Sequence, residues 1–212
     1  MNDPDLSAAL ALTGPEATLA LYRDWAASYD TGFAKDMDYR LPAHVAAAFL
    51  AAKGQGPVLD VGAGTGLLAE ALRQMGFMDR IDALDFSAEM LGRAAEKRLY
   101  AGLFRADVTM PLPLPPIYNG VTSSGTFTAG HVGPQAFGPM LEVARPGAQF
   151  ALSINRRVWT EAGFDSALTD LAARGLIRDL QLIDVQIYGP AAASLDPAHA
   201  DDRASVALFC RA

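Results

Sequence analysis

Residues 58–68 read VLDVGAGTGLL, with glycines at 62, 64 and 66 between an apolar run and the start of a helical pattern. Such a run has one economical reading, a buried strand that turns abruptly into a helix. Glycine lets the backbone turn sharply and lets a ligand approach with no Cβ in the way. N–H groups of the helix start just beyond would receive a polar or anionic group. In a doubly wound sheet, ligands lie beyond the carboxyl ends of the strands, where the strand order reverses. This stretch therefore predicts both an α/β fold and the place of its site.

The rest of the chain alternates in the same way. Residues 1–50 read as helical, with Leu19, Tyr22, Trp25 and Tyr29 on one helix face and a second helix in MDYRLPAHVAAAFLAA that has Pro42 near its first turn. After the breaker GQGP at 54–57 come strand 58–61, helix 66–75, strand 81–85 and helix 88–98, with Ser87 as N-cap. A strand at 101–105 precedes MPLPLPP at 110–116, which must be irregular because proline cannot donate to a ladder. Strand 119–124, the loop GTFTAGHVGP, helix 135–144, an Arg145-Pro146-Gly147 turn and strand 149–154 follow. Helix 160–174, strand 181–188, an irregular acidic loop at 189–203 and strand 204–210 complete the series.

Alternating strands and helices imply a mainly parallel sheet with helices on both faces. The final two strands have no helix between them, so the last should run antiparallel. The expectation is a doubly wound α/β fold: one seven-stranded sheet in a single domain over 1–212, with residues 1–50 a helical cap and 55–212 the core.

Charge and composition exclude several functions. The net charge of −7, from 17 Lys+Arg against 24 Asp+Glu, repels phosphate backbones and argues against a nucleic-acid partner. The only adjacent basic pair, Arg156-Arg157, reads as a solvated loop. No apolar stretch approaches the roughly 18 residues that span a bilayer, and MNDPDLSAALALTG carries acids where an export signal carries base. Cys210 is the only cysteine, which fits a reducing cytoplasm. Three histidines and one cysteine form no cluster with metal-ligand spacing.

Three ligand classes compete for the glycine turn. A P-loop needs Gly-Lys-Ser/Thr, but Gly66 is followed by Leu67-Leu68. A dinucleotide site wants G-x-G-x-x-G or A, and counting from Gly62 the last position is Leu67. The pattern is instead G-x-G-x-G, with Asp60 two residues before the first glycine. Asp85, 23 residues after Gly62, closes the second strand, where a carboxylate can accept from both ribose hydroxyls of any nucleoside.

The G-x-G-x-G turn behind Asp60 resembles the first motif of class I S-adenosylmethionine (SAM)-dependent methyltransferases. IDALDFSAEMLGRA (81–94) looks like their second motif and FRADVTMPLP (104–113) like their third. IYNGVTSSGTF (117–127) and EVARPGAQFALSIN (142–155) match their fourth and fifth strands, so the resemblance covers residues 55–211 in order. LYRDWAASYD, DYRLP and GTFTAGHVGPQAF add a narrower similarity to the Williams–Beuren-region methyltransferase-like family, imperfect at Tyr22-Arg23, where that family has Tyr-Asp.

The resemblance implies SAM as cofactor, held by Asp60, Gly62, Ala63, Gly64 and Gly66 at the first turn. It implies Asp85 on the ribose, Asp107 with its neighbour Val108 at the adenine, and Phe86 and Met90 packed near that ring. Ser123 after the fourth strand and Tyr29, covering the methionine end, complete the binding set; core packing is the competing reading of Tyr29. His131 is the histidine nearest the expected methyl group, a candidate general base against the alternative of a loop residue capping backbone. Arg40 reads as a surface ion pair, and His44 and His199 carry no role. Asp/Asn-Pro-Pro-Tyr/Phe, paired cysteines and a metal triad are all missing, which removes support for nucleic-acid amino, pyrimidine C5 and magnesium-assisted catechol methylation.

The expected function is therefore methyl transfer from SAM to a small molecule by a cytoplasmic enzyme with no membrane or nucleic-acid partner. Two rivals stay open at this stage. One is an NAD(P)-dependent oxidoreductase, which lacks an obvious Tyr-x-x-x-Lys pair here; the other is a SAM-binding sensor or partner protein without catalysis.

Overall fold

The computed structural model describes Gly32, residues 34–130 and residues 132–212. The first predicted helix, with Leu19, Tyr22, Trp25 and Tyr29, and the loop residue His131 lie outside the described residues.

Helix α1 (Leu41–Ala51) has its proline in the first turn, where no intrahelical N–H bond is lost. Strand β1 (Val58–Val61) is buried on both faces, as a central parallel strand covered by helices must be. Helix α2 (Leu67–Gln74) buries Leu68, Ala69, Ala71 and Leu72, and leads to β2 (Ile81–Asp85). Helix α3 (Ala88–Glu96) is capped by the Ser87 hydroxyl, which accepts from Met90 N at 3.2 Å. Then come β3 (Gly102–Arg105), β4 (Tyr118–Phe127), a 3₁₀ turn at Pro134–Ala136 running into α4 (Phe137–Val143), and β5 (Ala144–Asn155). Helix α5 (Phe164–Ala173), β6 (Ile177–Gln186), the short α6 (Ala192–Leu195) and β7 (Arg203–Arg211) end the chain.

The sheet order is β3-β2-β1-β4-β5-β7-β6. Strands β1 to β5 pair in parallel, and β7 slots antiparallel between β5 and β6. The order reverses at β1, so the crevice between the ends of β1 and β4 is the switch point. Strand alternation sends Leu59 and Val61 to one core, with Phe127, Phe137, Phe150 and Phe164, and Val58 to the other, with Val45, Phe49, Leu72 and Phe77.

Several boundaries differ from the sequence reading, the expected irregular loop at 189–203 carries the short α6, and four differences have a backbone reason. Helix α5 starts at Phe164 instead of residue 160, because Gly163 sits at φ +78° and caps it. Strand β6 starts at Ile177 and is bulged between Arg178 and Gln181, where Asp179 has φ +59°. Strand β4 runs on to Phe127 through a register shift after Ser123 that Gly125, at φ +79°, makes feasible. Arg145-Pro146-Gly147 lies inside β5, where pairing jumps from Tyr118–Ala144 to Gly120–Gln149; a bulge is where a strand tolerates proline.

The N-terminal segment is tied to the far side of the sheet. Arg40 N donates to Ile187 O and Gly189 N to Asp38 O, both at 2.9 Å, so Tyr39 bridges Tyr188 as a single antiparallel pair. Arg40 pairs with Asp38, the surface ion pair expected of it. Arg156 and Arg157 are likewise neutralised, by Asp184 and Asp202, so they form no basic patch.

Candidate functional site

The three glycines of the β1–α2 turn all have positive φ, +65°, +55° and +93°, but each for a different reason. A Cβ on Gly62 would lie 2.0 Å from Thr126 Oγ1, so this residue lets β4 close against the turn. A Cβ on Gly64 would meet nothing within 4 Å; it faces open space in the cleft. Gly66 does not line the cleft. It caps α2 in the left-handed region and packs on the Tyr100 ring, 3.1 Å from where its Cβ would be. Its assignment to cofactor contact is corrected to turn and packing.

Four N–H groups of this turn are already used. Gly62 N and Ala63 N donate to Leu84 O, at 2.8 and 3.1 Å, and Gly66 N donates to Ala63 O. Gly64 N donates to Asp85 Oδ2 at 2.8 Å. The turn therefore lacks side chains at its three glycines, whose N–H groups already have acceptors.

A cleft of about 320 Å³ opens beyond these strand ends. Its lining includes Asp60, Gly62, Ala63, Gly64, Asp85, Phe86, Met90, Asp107 and Val108, nine of the twelve residues assigned to binding from sequence. Ser123 is the second correction. It is fully buried, and its hydroxyl donates to Val61 O at 2.7 Å and lies 2.9 Å from Thr126 Oγ1, so it ties β4 to β1 instead of facing a ligand.

Three carboxylates stand along the cleft. Asp85 accepts from Gly64 N through one oxygen and from Ser87 N through the other, each at 2.8 Å. Burial raises its pKa, and those backbone donors partly oppose the rise. Asp107 accepts from Thr109 N and Oγ1 at 2.9 and 2.7 Å through one oxygen, which orients the carboxylate at the mouth of the third strand. Asp60 is only 1% exposed; its Oδ2 accepts from Tyr100 Oη at 2.6 Å and its Oδ1 has no hydrogen-bond partner. Burial pushes its pKa up to about 7, the Tyr100 bond pulls against that, and the charge of Asp85 adds to it. Among the described residues, no Lys, Arg or His lines the cleft.

Several lining residues escaped the sequence reading, Tyr39, Ser124, Thr126 and Gln135 among them. Tyr39 and Ser124 close the cleft on the side of β4. The Tyr39 hydroxyl lies 2.6 Å from where a Cβ on Gly125 would sit, so only glycine admits it. Burial, partly offset by a hydrogen bond with Ser124, raises this phenol to about 12, so it is neutral at any ordinary pH. The residue sits outside regular structure, delivered by the Tyr188 bridge, and carries no local signal in the sequence.

Residues 58–147 match the family described as "Methyltransferase domain". The human "Methyltransferase-like protein 27" is 34% identical over 142 residues, 64% of this chain and 56% of that protein, so the chain spans little more than half of this relative. A putative SAM-dependent methyltransferase from Methanococcus maripaludis shares the fold with TM-score 0.60, at 16% identity over 91% of this chain and 92% of that one. Magnesium protoporphyrin IX methyltransferase from Synechocystis, solved with bound SAM, is similar with TM-score 0.54, at 19% identity over 81% of this chain and 78% of that one. Residues 58–147 thus match a methyltransferase domain, and the chain shares its strand order and fold with solved SAM-dependent methyltransferases.

Proposed function

We propose that the protein binds SAM and transfers its methyl group to a small, uncharged acceptor. The observation that carries this reading is the charge of the cleft: three carboxylates and, among the described residues, no cation. A pyrophosphate would meet Asp60 and Asp85 at the turn, where the N–H groups of Gly62, Ala63, Gly64 and Gly66 are already spent on Leu84, Asp85 and Ala63. A ligand with a sulfonium and an ammonium group suits the same surface. This favours SAM over NAD(P).

The residues fit such a cofactor. Asp60 Oδ1 is a buried acceptor that lacks a donor, the kind of group an ammonium satisfies. Gly64 leaves room for close approach, and Asp85 keeps lone pairs for ribose hydroxyls. Asp107 stands where an adenine amino group is accepted, beside the apolar surface of Phe86, Met90, Ala106 and Val108. When bound, SAM supplies a methyl group already activated on a sulfonium. The chain's task is then to align the acceptor and exclude water. Tyr39, Ser124, Thr126 and Gln135 offer neutral hydroxyls and an amide on the acceptor side, which supports an uncharged partner. We assign His131 as general base for a hydroxyl acceptor; an unprotonated amine needs none. We also assign residues 1–50 as cover for the methyl group, Tyr29 included, so that cap and core act as one cytoplasmic domain. The net charge of −7 supports a metabolite over a nucleic acid, and no described helix is long and apolar enough to cross a membrane.

Calorimetry with SAM against NAD, followed by methyl transfer from labelled SAM into a metabolite extract, tests the proposal. SAM binding with labelled small product is expected. NAD displacing SAM, or transfer only to tRNA falling steeply with salt, would overturn it; SAM binding with no transfer to any acceptor would favour the sensor reading.

A further inference from the structure

Tyr100 does not line the cleft, yet its hydroxyl reaches the carboxylate at the cleft floor, 40 residues away in sequence, at 2.6 Å. It follows α3, with its ring packed against Ala63, Ala83 and Leu91 and close under Gly66. That packing holds the phenol in place from both sides of the glycine turn. Asp60 in turn is left with one oxygen occupied and one without a partner.

The charged groups around the pair are all accounted for. Asp85 faces Asp60 from the end of β2 and repels its charge. Glu70 faces Tyr100 from α2, and Lys97 Nζ, at the end of α3, lies 3.1 Å from Glu70. The cation nearest the pair thus has an acid of its own. The Tyr100 phenol is itself raised well above its ordinary value, by burial first and then by Asp60, so it stays a donor throughout the accessible pH range. A donor that cannot ionise, fixed on one oxygen, favours the carboxylate over the acid and determines which oxygen stays free.

We propose that Tyr100 is a positioning residue for cofactor capture: by donating to Asp60 Oδ2 it fixes the carboxylate and presents Oδ1 to the cofactor's ammonium group. This rests on the SAM reading above. Its consequence is proton-linked binding. With Asp60 poised at about 7, a ligand that needs the carboxylate must expel its proton at lower pH. Affinity then falls as pH falls, toward tenfold per pH unit, and one proton leaves per ligand bound.

The test is calorimetry of S-adenosylhomocysteine binding from pH 5.5 to 8.5, each pH in two buffers of different ionisation enthalpy, with 5′-methylthioadenosine as a probe that lacks the ammonium. For the parent protein we expect a break near pH 7 with S-adenosylhomocysteine, about one proton released at pH 6 and almost none at pH 8.5. Methylthioadenosine should show neither. Tyr100→Phe should move the break upward, weakening S-adenosylhomocysteine about tenfold at pH 7 with recovery toward pH 8.5, and should leave methylthioadenosine unchanged. Asp60→Asn should give a flat profile with no proton release, and this variant tests the linkage even if Tyr100→Phe does not fold. An equal loss at every pH in Tyr100→Phe would make Tyr100 merely structural. A flat parent profile, or the same break with methylthioadenosine, would overturn the inference and leave SAM binding intact. No binding of S-adenosylhomocysteine by the parent at any pH would overturn both.

Discussion

At the scale of single residues, the site is a set of acids whose partners differ. Asp85 is gripped by Gly64 N and Ser87 N, Asp107 by Thr109, and Asp60 by Tyr100 alone. Backbone donors hold a carboxylate in one orientation without neutralising it, so Asp85 stays available to a ligand's hydroxyls. Hydrogen bonds to a charged group are worth roughly 1.5–3 kcal/mol. Asp85→Ala should therefore weaken S-adenosylhomocysteine binding about ten- to a hundredfold in calorimetry. Unchanged affinity in a folded variant would move the ribose elsewhere in the cleft.

At the scale of elements, the β1–α2 turn separates folding from binding within three residues. Gly62 is where β4 crosses the turn, because Thr126 Oγ1 occupies the space a side chain would need while donating to Val61 O. Gly64 has the same backbone sign but open space in front of it. Left-handed backbone costs an ordinary residue roughly 1–2 kcal/mol in either place. Only at Gly62 does a collision add to that cost. Gly62→Ala should thus lower the melting temperature markedly more than Gly64→Val. Gly64→Val should stay folded but lose the thermal shift that S-adenosylhomocysteine gives the parent. Equal melting losses, or a retained shift in Gly64→Val, would reduce the stretch to an ordinary turn.

Across the whole molecule, the crevice is held open by two cores on opposite faces of one sheet. On one face Phe127, Phe137 and Phe164 contact one another with ring centroids 5.8 to 6.0 Å apart, joining the ends of β4, α4 and α5 just behind the acceptor side of the cleft. Phe164 is fully buried, so Phe164→Ala leaves a cavity and should cost about 3–5 kcal/mol in denaturant unfolding. Because Phe127 ends the strand that carries Ser124 and Thr126, methyl transfer should fall more than cofactor binding in the same variant. A loss below about 1 kcal/mol would mean that the surroundings collapse into the gap. At the other end, the Phe150–Phe209 stack, 4.8 Å between centroids, joins β5 to the antiparallel β7.

Much of this was legible locally. Strand and helix periods, the glycine turn and the acids that close β2 and follow β3 are written in neighbouring residues, so the strand–turn–helix unit and nine of the residues that line the cleft could be picked out from the chain alone. The reversed last strand was also legible, since the sequence shows no crossover helix between it and β6, where only the four-residue α6 forms. What local pattern could not carry were contacts between residues far apart. Gly66 and Ser123 match a binding motif, yet Tyr100 and Val61 claim them for packing and strand pairing. Tyr39 enters the cleft only because Tyr188, about 150 residues on, pairs with it at the sheet's far end. Asp60 is pushed up to about 7 only because burial, Tyr100 and Asp85 converge on it. Periodicity reports which face of an element is buried. Which group lies against that face, and so what charge and hydrogen bonds it brings, depends on packing that no short stretch of sequence contains.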